Sequence, residues 1–431
     1  MFITMHSKAY QNKESIVNRI FYFSFAILAV LFLKPYFTWN LPILKIWFVI
    51  FFIITLVYIF INNIYISRTQ LVNLFWLWIM FFLYVINEPL INILTNGMIL
   101  LFSLSILLIL DNDKKLIVYD IFLNILCIIF VLGLIIHILL ILGVDLPHHI
   151  LNAPFVDKPI YRNYVFSVYA QYHGISEAVS LPFGGSVDRF CSIFNEPGVV
   201  GTVSSLILIS RGYILKDKRN LILFLAGVFS LSFAFWIFCF GYFACKKKSL
   251  LLISATVMIL IYFGLNENSA LKKIIDNRIV DRLVIDKDTH KLAGNNRNNE
   301  IFDLIYADFL QNAPVSQKLT GLGVEKYTEE AVAVGAIASS YKSLIIIYGF
   351  LFSFVYFLYF IFQTIRYKNI DVFIFGVFFL VSHYQRPYTF SLDYWLIFFG
   401  GVAYILSDNK MSKRINIEER VENEKESIVC N

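Results

Sequence analysis

Eleven apolar runs, at 20–33, 41–61, 71–86, 97–110, 117–144, 198–210, 221–244, 249–265, 343–363, 370–382 and 392–407, constrain this chain more than any other feature. About 20 mostly apolar residues span a bilayer as a helix, and shorter runs cross where the lipid thins. A soluble protein has no use for so many. It needs a polar shell, and soluble domains are about one quarter charged. Here 58% of the 431 residues are hydrophobic, 17% aromatic and only 15% charged. The expected fold is all-α, a polytopic integral membrane helix bundle of about 10–12 transmembrane segments in a single transmembrane domain over 1–431. The composition excludes a disordered protein, a nucleic-acid partner and a disulfide scaffold. Of five cysteines, Cys127, Cys239 and Cys245 lie within or beside apolar runs, Cys191 lies in a loop and Cys430 near the C-terminus. No C-x-x-C occurs, so the pattern predicts no metal or redox site.

Charge orients the runs. Lys8, Lys13 and Arg19 precede the run 20–33. No small-residue cleavage site follows, so this reads as a retained first helix rather than a signal peptide. Positive residues favour the cytoplasmic side. Arg68, Lys114-Lys115, the set Arg211, Lys216, Lys218 and Arg219, then Arg366 and Lys368, and the tail at 408–431 with Lys410, Lys413 and Arg414 are all expected there. Both termini are then cytoplasmic. One conflict arises: a single crossing by 221–244 puts Lys246-Lys247-Lys248 outside. A half-depth hairpin removes it and is favoured, while a single crossing, which puts the two long loops on opposite faces, stays open on hydropathy alone. Each limb of about 12 residues reaches some 18 Å, and Ser230 and Ser232 near the middle serve the backbone freed at the bend.

Two long loops remain, at 145–197 and 266–342, and both fall outside under this orientation. Loops longer than about 15 residues are functional or disordered. The first is rich in aromatics, including Tyr161, Tyr164, Phe166, Tyr169, Tyr172 and Phe183, and ends in Arg189-Phe-Cys-Ser-Ile-Phe-Asn-Glu-Pro-Gly-Val-Val-Gly201. The second carries helical spacing at Ile301, Leu304, Ile305 and Phe309, a stop at Pro314 and a turn at Gly321-Leu-Gly323. It reads as a small subdomain of amphipathic helices against the membrane surface or the bundle mouth. Pro197 suits the first turn of a helix, with Asn195 or Glu196 as its cap. A helix N-terminus favours an anion, and an arginine fork matches a phosphate.

The string from Arg189 through Glu196-Pro197-Gly198 to Gly201, leading from a long loop into a helix, resembles the O-antigen polymerase and O-antigen ligase superfamily of bacterial envelope proteins. So do Arg297 with its amphipathic stretch, Pro314 and Gly321-Leu-Gly323, the entrance Ser340-Tyr341 to Gly349, and the serine-bearing run 221–244 between two long loops. The resemblance covers the topology of the whole chain and residues in about four patches. It implies an enzyme of the bacterial inner (cytoplasmic) membrane. Such an enzyme joins undecaprenyl-pyrophosphate-linked oligosaccharides, donor and acceptor, into a surface polysaccharide such as O-antigen, capsule or exopolysaccharide. It implies a flippase and a chain-length regulator as partners in the same pathway, besides membrane lipid. Ligases of the superfamily carry a histidine near the end of the second long loop. Ser339-Ser340-Tyr341 stands there instead, and the loop's only histidine is His290, so a polymerase is favoured over a ligase.

The resemblance assigns Arg189 and Arg297 to the donor pyrophosphate. Glu196 is a cap, an orienter of Arg189, or the acceptor's base. These three are the candidate catalytic residues. Arg162, Tyr341, Lys342 and Arg386 are candidates for substrate binding, and His383 is an ionisable group at a helix end. No metal or other cofactor is expected. His148-His149 and His173 lack spaced carboxylate partners. Asp111-Asn-Asp113 and Asp286-Lys-Asp288 lack the soluble nucleotide-binding domain that such pairs serve. Arg278 and Arg282 read as a solvated face. The main alternative is a lipid-linked oligosaccharide flippase or another polysaccharide transporter. A polyprenyl-phosphate-sugar transferase and an envelope-assembly scaffold are further rivals.

Overall fold

The computed structural model describes residues 15–39, 42–152, 160–164, 169–172, 179–180, 186–187, 189–249, 272, 299–332, 334–336, 340–386 and 388–408. The run 249–265, nearly all of it, Arg297 and the tail lysines lie outside the described residues.

Helices dominate. In chain order they are α1 (Ile16–Phe32), α2 (Ile43–Asn62), α3 (Arg68–Val85), α4 (Leu90–Ile109, with a π-helical turn at Ile93–Gly97) and α5 (Asn112–Ile141). Then come α6 (Pro197–Ser210), α7 (Lys218–Phe229) and α8 (Phe233–Lys246). After the undescribed stretch follow α9 (Glu300–Asn312), α10 (Val315–Thr320), α11 (Val324–Tyr327), α12 (Tyr341–Ile365), α13 (Ile370–Gln385) and α14 (392–408). Five of them, α2, α3, α4, α5 and α12, are long and apolar enough to cross a membrane. The surface agrees with that use. Ile46, Val49, Ile53 and Phe60 of α2 are all more than half exposed, an apolar face that suits lipid and not water.

Helix starts follow local chemistry. Ser67 opens α3 with a capping box: its hydroxyl accepts from the Gln70 N–H, and the Gln70 side chain accepts from the Ser67 N–H. Asn369 accepts from the Asp371 N–H at 2.8 Å to open α13, and Asp217 accepts from the Arg219 N–H at 2.9 Å to open α7.

Several basic connections meet at one place. Arg211 bonds Asn220 and Asp217, Arg219 faces Asp120, Lys247 donates to the Gly212 carbonyl, and Lys246 pairs with Asp371. These contacts place both the start of α7 and the finish of α8 beside the finish of α6. The run 221–244 is therefore a hairpin, as the lysine argument required, and its bend falls at Ser230–Ser232. At 1.5 Å per residue its limbs are roughly 18 and 21 Å long.

Described parts of both long connections make other contacts. The Tyr36 N–H donates to the Ile193 carbonyl at 2.9 Å. Asn87 donates to the Thr320 and Gly321 carbonyls, and Glu88 accepts from the Val324 N–H. These bonds fasten the second connection to the turn after α3. The first connection differs from the all-α expectation, because it holds an antiparallel sheet. His148–Asn152 pairs with Ile160–Tyr164, which pairs with Tyr169–Tyr172, and a two-residue pair joins Val179–Ser180 to Ser186–Val187. The physical reason is composition: tyrosines and β-branched residues in short segments favour strands.

Gly349 is a second difference. The run 343–363 predicts one helix, but Gly349 adopts φ 82°, ψ 171° inside α12 and breaks it. The break frees the Ile346 and Ile347 carbonyls, and the N–H groups of Leu322 and Gly323 take them at 2.8 and 2.9 Å. A side chain on Gly321 (φ 79°) would collide with the Ile347 carbonyl, so the Gly321-Leu-Gly323 turn predicted from sequence is what lets the loop dock on the broken helix.

Candidate functional site

Helix α6 runs through the middle of the bundle, packed against α7, α8 and α13. Every residue from Gly198 to Ser210 is buried. Its N-terminus directly follows the first long connection. Pro197 occupies the first turn, as its missing N–H allows. Glu196 stands at the N-cap position, but its carboxylate makes no capping bond to the helix backbone. It accepts instead from Arg386, Nη2 to Oε2, at 2.5 Å. The structure brings Arg386 to Glu196 across 190 positions, a partner the sequence did not suggest.

Arg386 follows α13 and is only 3% exposed, whereas Glu196 is 27% exposed. Its Nη1 donates to the Tyr388 hydroxyl at 3.0 Å, and its Nε is buried with no hydrogen-bond partner. Burial alone would lower the pKa of this guanidinium. The Glu196 charge and the Tyr388 and Tyr394 hydroxyls outweigh that and raise it, so Arg386 stays charged. Gly198 makes room for it: a Cβ there would collide with Nη2.

One turn further along α6, Gly201 faces the bend of the α7–α8 hairpin, where a Cβ would collide with Ser232 and press on the Ser230 hydroxyl. Arg189 also reaches this bend, its Nε donating to the Ser230 carbonyl at 3.2 Å, and the Phe190 N–H donates to the Phe229 carbonyl at 2.9 Å. Arg386 therefore lies against Gly198 in the first turn of α6, and Arg189 bonds the hairpin bend that faces Gly201. Ser230 and Ser232, expected only to serve the bend, are also the floor under this turn.

The remaining candidates separate. Lys342 pairs with Asp303 at 2.8 Å and lies over the Tyr306 ring, which ties α12 to α9. Tyr341 stacks on Tyr384 of α13 with ring centroids 5.5 Å apart, two residues from Arg386. Arg162 stands in the middle of the sheet, in register with Ile150 and Gln171. His383 is fully buried. Its Nδ1 contacts the Phe379 carbonyl at 2.9 Å, and a carbonyl only accepts, so Nδ1 carries the proton; in the neutral ring Nε2 then accepts from Tyr356, also at 2.9 Å. Asn87, Glu88 and Asp303, which hold the second connection in place, escaped sequence reasoning. Their signal was an acid and an amide just past an apolar run, a pattern with many other readings.

Chemically, the arrangement is a buried guanidinium at a helix N-terminus with a partly exposed carboxylate bonded to it. It suits a multiply charged anion and offers an oxygen base beside it. No family model, curated protein or solved structure matches the chain.

Proposed function

We propose that this protein polymerises undecaprenyl-pyrophosphate-linked oligosaccharide repeat units into a surface polysaccharide at the outer face of the bacterial inner membrane. The observation that carries the reading is Arg386, a charged guanidinium buried beside Gly198 at the N-terminus of α6, with Arg189 at the adjoining hairpin bend. Positive groups gathered at a helix N-terminus favour a pyrophosphate, whose departure builds negative charge that fixed donors stabilise. On this reading the basic end of the bundle is cytoplasmic and the long connections close over the sugars. Glycosyl transfer needs nothing more than the leaving-group clamp, a base for the acceptor hydroxyl, and an apolar groove for the polyprenyl chains.

The test is chain growth. Purified protein in vesicles, supplied with undecaprenyl-pyrophosphate-linked repeat unit, is expected to yield a ladder of two or more units on a gel. Arg189→Ala should collapse that ladder to single repeats. No ladder, together with flux of labelled lipid-linked unit across vesicles containing only this protein, would overturn the reading in favour of a flippase.

A further inference from the structure

We infer that the groove between α1 and the start of α5 is a binding site for one anionic phospholipid, whose phosphate is held by Arg19 and whose acyl chain lies between the two helices. The site is separate from the start of α6 and does not depend on the polymerase reading.

Shape comes first. Arg19, Ile20, Tyr22 and Phe23 of α1 and Ile117 and Ile121 of α5 line an open groove of about 450 Å³, within the range of small-molecule sites at about 300–1,000 Å³. Arg19 is the only charged residue in this lining. The groove has a firm wall, because α1 is clamped by α2. Phe21 stacks on Tyr58 with ring centroids 3.9 Å apart, Phe25 stacks on Phe51 at 4.9 Å, and the Trp47 indole donates to the Ser24 carbonyl at 3.1 Å. Ile20 and Phe23, by contrast, are about half exposed. An apolar groove beside helices long and apolar enough to span a bilayer meets lipid chains rather than water.

Charge selects the lipid. Acyl chains are as apolar as the groove, so its walls favour no lipid over another, and discrimination falls to the headgroup. The Arg19 guanidinium makes no hydrogen bond or ion pair with any described residue, and its N–H fork matches a phosphate. The acids around the start of α5 are engaged otherwise. Asp120, next to Ile121, lies 3.4 Å from Arg219 and 3.6 Å from Arg211, and Asp111 lies 3.6 Å from Lys114. Asp113 sits in the first turn of α5, where the helix N-terminus favours its charge. A basic pocket between transmembrane helices is an arrangement that binds acidic headgroups. A zwitterionic lipid carries its own cation beside the phosphate and so gains less from Arg19; phosphatidylglycerol carries none. Seated here, the lipid ties α1 to α5 beside the Arg211–Asp120–Arg219 cluster.

The experiment takes the full-length protein in mild detergent with equal phosphatidylglycerol and phosphatidylcholine of matched chains, and counts retained lipid by native mass spectrometry. Wild type should retain one phosphatidylglycerol per chain in preference to phosphatidylcholine. Arg19→Gln removes one interfacial cation, which changes the binding of an anionic lipid about fivefold, so the preference should fall by about that factor. Ile121→Trp fills the groove without changing charge and should lose the retained lipid of either kind. Added phosphatidylglycerol should raise the melting temperature of wild type and leave that of Ile121→Trp where it was. Arg19 is exposed, so Arg19→Gln keeps the test decisive if Ile121→Trp does not fold. The same preference in wild type and Arg19→Gln, or undiminished lipid in Ile121→Trp, overturns the site. A dimer that Ile121→Trp dissociates overturns it in favour of a second copy of the chain, and retention of undecaprenyl phosphate ahead of phosphatidylglycerol overturns it in favour of an isoprenoid carrier.

Discussion

The two ends of α6 each hold a buried arginine, and the contrast between them separates scaffold from site. Arg211 caps the C-terminus and is 2% exposed. Two carboxylates, an amide and a ring surround it, although its buried Nη1, like the Nε of Arg386, makes no hydrogen bond. The Arg211 Nε donates to Asn220 and its Nη2 to Asp217, both at 2.7 Å, Asp120 lies 3.6 Å from Nη1, and the guanidinium sits 4.3 Å from the Tyr404 ring centroid. A cation at a helix C-terminus also agrees with the macrodipole. Arg386 is equally buried but stands at the N-terminus of the same helix, where the macrodipole opposes it. One carboxylate and one hydroxyl are its hydrogen-bond partners. On the proposed function, that cation is the one the donor's pyrophosphate meets.

The largest effect that tests this contrast is a pair of substitutions. Arg211→Met should destabilise the protein by about 1–3 kcal/mol, because Asn220 and Asp217 lose a buried partner while Arg219 still bonds Asp217. The readout is the melting temperature in detergent and the yield of monodisperse protein. Arg386→Met should cost less stability, since the Glu196 it leaves behind is exposed enough to hydrate. It should instead abolish polymer formation in protein that is still folded. If the two variants lost stability equally and activity equally, the two ends of α6 would have no different roles.

Next in size is Gly198→Ala. The added methyl would collide with Arg386 Nη2 and push the guanidinium aside without changing any charge. Displacing a catalytic group by about 1 Å costs about two orders of magnitude in rate, so polymer formation should fall by that much while the melting temperature moves little. The matching change at the opposite end of the helix, Ser210→Ala, removes the 2.8 Å contact to the Tyr119 hydroxyl. Its effect should be confined to about 1 kcal/mol of stability. Activity loss in Ser210→Ala comparable to that in Gly198→Ala would blur the comparison.

How much of this was legible beforehand depends on the range of the interaction. The start of α6 at Pro197, the bend at Ser230–Ser232 and the turn at Gly321–Gly323 are local, set by proline, serine and glycine chemistry within a few residues, and each could be read from the chain. Charge counting alone turned 221–244 into a hairpin. The Gly349 break was hidden because a single glycine barely alters the hydropathy of a run. What marks it is a loop 26 residues earlier that bonds the freed carbonyls. The Glu196–Arg386 pair was equally hidden. Both residues stood out, but only the packing of α13 on α6 brings them together, and no spacing rule reaches across such a distance. Lys342 and Tyr341 were noticed for position and turn out to fasten helices together, through Asp303 and Tyr384.

Acid sharpens the comparison more gently. Burial alone would raise the Asp217 carboxyl, but the Arg219 backbone N–H and the charges of Arg219 and Arg211 more than offset it and hold the group below the ordinary carboxylate range. A folded-state value below the unfolded one means that the stabilisation is fully present above the ordinary carboxylate range. It is lost as pH falls through that range to the lowered value. Melting temperature should therefore drop on acidification from neutral pH, and Asp217→Asn should flatten part of that slope while starting from a lower plateau. An unchanged slope would remove Asp217 from the acid response.

The smallest effect concerns how the second connection is tied down. Lys342 and Asp303 are each one quarter exposed and meet at 2.8 Å, with the ammonium also 5.2 Å from the Tyr306 ring centroid. A half-screened pair with a cation–π contact is worth about 1 kcal/mol, so Lys342→Met should lower stability by no more than that. The other ties, Asn87 to Thr320 and Gly321, Glu88 to Val324, and Leu322 and Gly323 to the Ile346 and Ile347 carbonyls, should keep α10 and α11 seated. The expected signature is local: faster hydrogen exchange over 300–312, with unchanged exchange at the Arg211 cluster and only a minor change in polymer length. Loss of polymer formation in Lys342→Met, with folding intact, would move Lys342 from the fastening of α9 to the substrate, and would extend the functional end of the bundle beyond the first turn of α6.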